Sequence, residues 1–466
     1  MEKIRYLVLG AGPTGLGAAY RLKELGVTDF LILEQSDYPG GLAASFTDDK
    51  GFTWDIGGHV QFSHYRYFDD LMLKALGADG WLTHQRESWA WMEGRFVPYP
   101  VQNNIRYLPK EKMWECLDGI ITANLQASQT ARPANFKEWI LSRFGPGLSR
   151  IFMLPYNFKV WAYRPEEMSH HWVGERVAIT DVRRAAKNVI FEQDDLSWGP
   201  NNTFQFPIRG GTGAIWKRVA GFVGTSHIRL RSPIESIDVE RQIVRCAHGA
   251  EYGYDTLIST IPVDVCTRMM TPVQPELRDA AARLKYSSSN IVGIGLRGQP
   301  PAALRTKCWM YFPEADCPFY RTTVFSNYSP NNVPDIRDYW SLMTETSESQ
   351  QKPVDQSRLL EETIQGCLNT KLIANREDIV STWRFRAGHG YPTPSVDRDV
   401  ILGTVLPSLE QLGIFSRGRF GAWKYEVSNQ DHSLMQGVEL ANFLVLGIPE
   451  TTVYYPETAN ANWGRR

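Results

Sequence analysis

The chain reads as an α/β protein with three parts: a parallel-sheet domain, a helical insertion, and a second domain built on an antiparallel sheet. Three observations predict this. A strand–helix–strand unit opens the sequence, strand signals thin out between about residues 108 and 190, and a second run of strand signals fills residues 288–345. In the opening unit, 5–9 (Arg-Tyr-Leu-Val-Leu) is a short apolar strand, Gly15–Leu25 a helix with small residues on its packing face, and Phe30–Leu33 a second strand. Two strands joined through a helix must lie parallel.

The insertion is expected to hold helices over Glu111–Leu125, Phe136–Phe144 and Arg176–Asn188. Short strands return at Ile228–Leu230, Ile234–Val239, Ile243–Cys246 and Thr256–Ser259. The second sheet is expected from Asn290–Leu296, Cys308–Phe312, Phe319–Ser326 and Tyr339–Glu345, followed by a helix over Ser357–Asn369. The last hundred residues read as loops carrying motifs, closed by a helix near Leu434–Leu444. The expected division is therefore a discontinuous parallel-sheet domain (1–107, 201–285 and 386–466), a helical insertion (108–200) and an antiparallel-sheet domain (286–385).

Composition narrows the function. With 43% hydrophobic and 22% charged residues the 466-residue chain is of the globular class. A formal net charge of −1 leaves no basic field for nucleic acid or an anionic membrane, so an anionic ligand must be met by local arginines. The six cysteines are scattered with no Cys-x-x-Cys pair, which argues against zinc, a redox dithiol or a disulfide framework and points to a reducing, cytoplasmic setting. No stretch approaches the ~20 apolar residues that span a bilayer. Lys3, Arg5 and the apolar residues after them imitate a leader, but glycines at 10, 12, 15 and 17 interrupt it.

Those glycines carry the first motif. Gly10-Ala11-Gly12-Pro13-Thr14-Gly15 joins the first strand to the first helix. Gly10 permits the tight turn, Gly12 lets backbone approach a pyrophosphate, and Gly15 lets helix and strand pack closely. The helix N-terminus then faces the phosphate charge. Glu34, about twenty residues on, stands at a strand end where a carboxylate accepts ribose hydroxyls. Two further glycine turns follow, at Gly40-Gly41-Leu42 and at Gly57-Gly58-His59, and these suit a long extended cofactor. The pattern resembles the Rossmann-type, glutathione-reductase-like FAD proteins, the amine oxidase and protoporphyrinogen oxidase group, and implies FAD.

A longer series of blocks is more specific: His59-Val60 with Phe62-Ser63-His64-Tyr65; Pro98 through Asn104; Pro155-Tyr156-Asn157-Phe158-Lys159-Val160-Trp161; Gly174-Glu175-Arg176-Val177; Trp309-Met310-Tyr311; Phe319-Tyr320-Arg321; His389-Gly390-Tyr391; Gly418-Arg419-Phe420; and Tyr425 through Ser433. In this order, over nearly the whole chain, they resemble the UDP-galactopyranose mutases of the eukaryotic, fungal type. The resemblance implies a redox-neutral isomerisation of UDP-galactopyranose to UDP-galactofuranose, in which N5 of reduced FAD attacks the anomeric carbon and UDP leaves. Residue by residue it implies Arg176 and Arg321 as diphosphate clamps and His59 as the histidine near the flavin, these three being the catalytic set. Tyr311, Tyr391 and Tyr425 would bond the phosphates, and Tyr99 and Gln102 the uracil. Phe62, Asn157, Trp161, Asn201, Trp309 and Asn429 would complete the substrate pocket. FAD would be held by Gly10, Gly12, Gly15, Glu34, Gly41, Leu42, Gly57, Gly58 and His59, with Arg419, Asn429, Gln430 and Ser433 at its ring end. No metal is implied. NADPH is implied as reductant, and the family spans monomers and homo-oligomers.

Three positions depart from the family pattern. Gln61 stands where an aliphatic residue is expected, Val101 where an aromatic is, and Leu154 where a basic residue is. A shift in nucleobase or sugar, to another UDP- or dTDP-linked substrate, is the functional reading of these departures. Two rival functions belong to different classes. One is an FAD oxidase of the amine oxidase group, which leaves the arginines and tyrosines without a task; the second is a non-catalytic sugar-nucleotide sensor.

Overall fold

A computed structural model describes residues 2–126, 132–179, 181–196 and 202–461. Strand Glu2–Leu9 lies parallel between Phe30–Leu33 and Glu251–Ser259, at the centre of an eight-stranded sheet. Its side chains alternate between faces, as the period of two requires. Tyr6 and Val8 enter a core with helices Pro13–Glu24, Gly213–Val223 and Gln430–Leu446. Leu7 and Leu9 enter the opposite core with helices Pro275–Ala282 and Arg398–Gln411. Burial on both faces explains the unbroken apolar run that marks the strand in the sequence.

The second sheet has seven strands in the order Ile379–Pro392, Tyr286–Arg297, Tyr339–Glu348, Arg321–Val324, Trp309–Tyr311, Ser88–Met92 and Arg95–Pro98. All its pairings are antiparallel except Trp309–Tyr311 with Ser88–Met92. It thus recruits strands from two stretches, 88–98 and 386–392, that the sequence assigns to the parallel-sheet domain. Strand Ile379–Pro392 has no counterpart among the expected elements. It is an edge strand with Arg384, Arg386 and Gly388 on its exposed positions, so its apolar alternation is weak.

In the helical insertion, helix Lys110–Gln126 matches expectation. Helix Phe136–Leu148, N-capped by the Asn135 side chain, runs past the expected end at Phe144, where a kink occurs at Gly145 (φ 68°). The kink seats Gly145 on the first helix: a Cβ there would lie 2.1 Å from the carbonyl oxygen of Gly119. A π turn, Ser149–Met153, then leads into helix Leu154–Trp161, which the sequence does not announce. The helix expected over Arg176–Asn188 is corrected: it spans Val182–Ile190, because the Asp181 side chain caps it by accepting from the Arg184 N–H (2.9 Å). Arg176 therefore sits on the short turn Gly174–Arg176 and not on a helix. All six cysteines are buried and unpaired. Among the described residues no helix is long and apolar enough to cross a membrane.

Candidate active site

One cavity of about 910 Å³ runs between the two sheets and under the insertion. The dinucleotide motif forms one end of it. Gly10 has φ +100° and donates its N–H to Leu33 (2.8 Å), and Gly15 packs so closely that a Cβ would lie 2.0 Å from the Gly10 carbonyl oxygen. Gly12 is the reverse case: a Cβ there would meet nothing within 4 Å, because the position opens on the cavity. Glu34 is buried, and its carboxylate accepts from the N–H groups of Ala11 (2.7 Å) and Ser36 (2.8 Å), which holds it at the rim. A helix N-terminus, an open glycine and a fixed carboxylate are the donor and acceptor set that an ADP moiety needs. Gly41, Leu42, Gly57, Gly58 and His59 continue the wall, and Arg419, Asn429, Gln430 and Ser433 line it further on. The Trp309 indole N–H and the His59 Nδ1 are buried there without a protein partner. The chain therefore fits FAD. Since Gly12 has free space, Gly12→Val is expected to fold normally while its side chain displaces the cofactor. The purified variant should be nearly colourless, with flavin absorbance relative to protein down about ten-fold or more.

Where the two ends of the cavity meet, Arg321 and Glu345 form a two-pronged ion pair, Nε to Oε1 at 2.8 Å and Nη2 to Oε2 at 2.7 Å. Glu345 also accepts from the Gly58 N–H (2.9 Å) and the Tyr320 hydroxyl (2.8 Å). Burial opposes its charge, but the Arg321 guanidinium outweighs burial and holds the carboxyl below the ordinary range. The guanidinium is thus locked on one side, and its Nη2 reaches the Tyr391 hydroxyl at 3.5 Å. Arg419 is held in the same way, by the carbonyl of Gly390 and the hydroxyl of Ser428.

Burial, reinforced by Arg419 and Arg321 and only partly opposed by Glu345, pushes the His59 imidazole down to about 4. It is neutral at pH 7. Between about pH 4 and its ordinary 6.5 the unfolded chain binds this proton and the folded chain does not, so the residue costs stability as pH falls through that window. A His59→Asn variant is therefore expected to gain stability relative to the parent as pH drops from 6.5 toward 4, with a constant difference above 6.5. Paired urea titrations across that range measure this.

The remaining end is aromatic. Tyr99 and Tyr156 each stand by Tyr311, with ring centroids 4.9 and 5.4 Å apart, and Trp161 packs on Tyr425 (4.7 Å) and Tyr391 (5.8 Å). Burial raises the phenols of Tyr99, Tyr156 and Tyr425, which keeps them protonated as hydrogen-bond donors. Arg176 is half-buried, donates to the Glu426 carbonyl (2.6 Å), and lies over the Tyr425 ring. Gln102 donates its amide to the Ala178 carbonyl (2.6 Å) while its Oε1 has no partner.

Every substrate and cofactor residue expected from the sequence lines this cavity except two. Gly15 lies behind the wall, as its packing role demands, and Asn201 falls outside the described residues. The lining residues with no role assigned from sequence include Arg86, Tyr156, Tyr320 and Glu345. Arg86 donates to Tyr311 (3.2 Å) and lies over Trp309. Glu345 has a visible signal, a carboxylate inside the buried strand Tyr339–Glu348. Of the three departures, only Gln61 reaches the cavity. Val101 is fully buried in the core of the insertion and Leu154 packs against the same core, so neither lines the cavity and neither supports a change of base.

The family model for flavin containing amine oxidoreductases matches residues 13–351. The chain is 48% identical to a reduced UDP-galactopyranose mutase of known structure, covering 99% of this chain and 98% of that one, with a TM-score of 0.94. The chain belongs to the flavin-containing amine oxidoreductase family, and within it to the UDP-galactopyranose mutases. As a member of that family it is an FAD protein. More distant likenesses place the mutase fold among oxidases. A flavin-containing monoamine oxidase A of Dictyostelium discoideum, itself described as probable, is 24% identical over 322 residues, 63% of this chain and 65% of that protein. Putrescine oxidase with putrescine bound shares the fold at 15% identity, over 95% of this chain and 99% of that one, with a TM-score of 0.66. The chain spans less than two thirds of the length of the curated relatives it matches.

Proposed function

We propose that the protein interconverts UDP-galactopyranose and UDP-galactofuranose, with its FAD in the reduced state and no net redox change. The observation that carries this reading is that one cavity joins a dinucleotide cradle to a cluster of guanidinium and phenol donors. When bound and reduced, FAD supplies an electron-rich ring where the sugar changes form. The chain supplies the rest. Arg321, fixed by Glu345, and Arg176, fixed by Glu426, present guanidinium N–H groups to the diphosphate as charge develops on it. Tyr311, Tyr391 and Tyr425 add neutral donors, and the free Oε1 of Gln102 is an acceptor for the imide N–H of uracil. Neutral His59 places no positive charge beside the cofactor.

In this proposal the insertion and the two sheets act as nucleotide, cofactor and sugar walls, with strands 88–98 and 379–392 counted with the substrate sheet. NADPH is the proposed reductant. UDP is expected to raise the melting temperature of the yellow protein, and uridine, which cannot engage the arginines, to do so far less. Equal effects of UDP and uridine would rule out a diphosphate clamp.

A further inference from the structure

Gln61 is 5% exposed, lines the cavity, and its amide nitrogen finds no acceptor in the protein. Its backbone is fully used, exchanging two hydrogen bonds of 2.9 Å with Gln205, so the segment cannot turn the side chain outward by sliding. The amide nitrogens of two other buried wall residues are satisfied: Gln102 donates to the Ala178 carbonyl and Asn157 to the Met153 carbonyl, both within 2.7 Å. An unpaired buried amide destabilises the fold, and exceptions of this kind call for a ligand. An apolar side chain of the same size would avoid that cost, so the amide here has a task that folding does not explain.

We infer that the Gln61 amide is a specificity group for the sugar, hydrogen-bonded to one of its hydroxyls. This rests on the nucleotide-sugar reading above. Gln61 lies three residues from Gly58, whose N–H is held by Glu345, the partner of Arg321. A diphosphate anchored on Arg321 brings the group beyond its β-phosphate, the sugar, to this part of the wall. A hydroxyl both donates and accepts, which matches the two ends of a carboxamide in either orientation. On this inference the base and the diphosphate keep their own partners, Gln102 and the arginines, and the effect of Gln61 falls on the sugar.

The test uses the FAD-loaded protein with Gln61→Leu and, as a second apolar variant, Gln61→Met. Titration calorimetry compares UDP, UDP-galactose and UDP-galactose analogues each lacking one hydroxyl. Both variants are expected to melt at or above the parent temperature, since an unpaired polar group is removed. UDP affinity is expected to stay unchanged, while UDP-galactose affinity falls about three- to ten-fold. One deoxy analogue should bind parent and variants equally, which identifies the hydroxyl. Unchanged UDP-galactose affinity in both variants would overturn the inference alone. So would an altered flavin absorption spectrum with unchanged sugar affinity, which would put the amide on the cofactor. A lowered melting temperature in both variants with no change in affinity would make Gln61 a packing residue and overturn it too. Failure of the parent protein to bind UDP or UDP-galactose would overturn the nucleotide-sugar reading, and this inference with it.

Discussion

Replacing Arg321 by alanine is expected to cost the protein both activity and stability, and the two losses are separable. Turnover should fall about 10³-fold, the scale of losing a fixed donor aimed at developing charge. Stability should fall by about 3–5 kcal/mol, because the variant leaves Glu345 charged and buried with no cationic partner. The double variant Arg321→Met/Glu345→Leu removes both charges and should recover most of that stability while remaining inactive. Denaturant titration and steady-state assays on the three proteins check this. If the double variant regained activity together with stability, Arg321 would be a structural residue, and the diphosphate anchor would have to lie elsewhere.

Arg176→Ala is expected to behave differently, and the contrast is informative. Arg176 is half-buried, and it donates to a backbone carbonyl, not to a buried carboxylate. Its loss strands no charge, so the melting temperature should hardly move. The UDP dissociation constant should rise roughly 10- to 100-fold, the value of a charge-assisted hydrogen bond in a sheltered site. Arg176→Lys should recover only part of it, since an ammonium cannot reproduce the planar two-pronged contact. An unchanged dissociation constant in Arg176→Ala would restrict the clamp to Arg321.

How much of the site is legible in the sequence follows from where each signal resides. The cradle is legible because its requirements are local: Gly10 needs a positive φ, Gly15 a close approach and Glu34 a strand end, and all three needs fall within one strand–helix–strand unit. Most substrate residues become legible through the long blocks that resemble the mutases, not through periodicity. What escapes depends on contacts between distant segments. Glu345 acquires its role only when strand Tyr339–Glu348 brings it beside Arg321 and Gly58. Arg86 acquires its role by lying over Trp309, more than two hundred residues away. Strand Ile379–Pro392 escapes because an edge strand keeps charged residues on its open face, and helix Arg398–Gln411 because Pro407 and a mixed polar pattern mask its period. Val101 shows the opposite failure. Its place inside a ligand-binding block suggests contact with the ligand, whereas the turn Val101–Asn103 points it into the core of the insertion.

The most direct measurement is made without oxygen. The yellow protein is reduced with dithionite, mixed with UDP-galactofuranose, and the nucleotide sugars are separated by chromatography beside an oxidised control. Conversion to UDP-galactopyranose is expected from the reduced protein alone, with no loss of the reduced flavin over many turnovers. Equal conversion by the oxidised protein, or flavin reoxidation in step with product, would contradict a redox-neutral reaction that depends on reduced FAD.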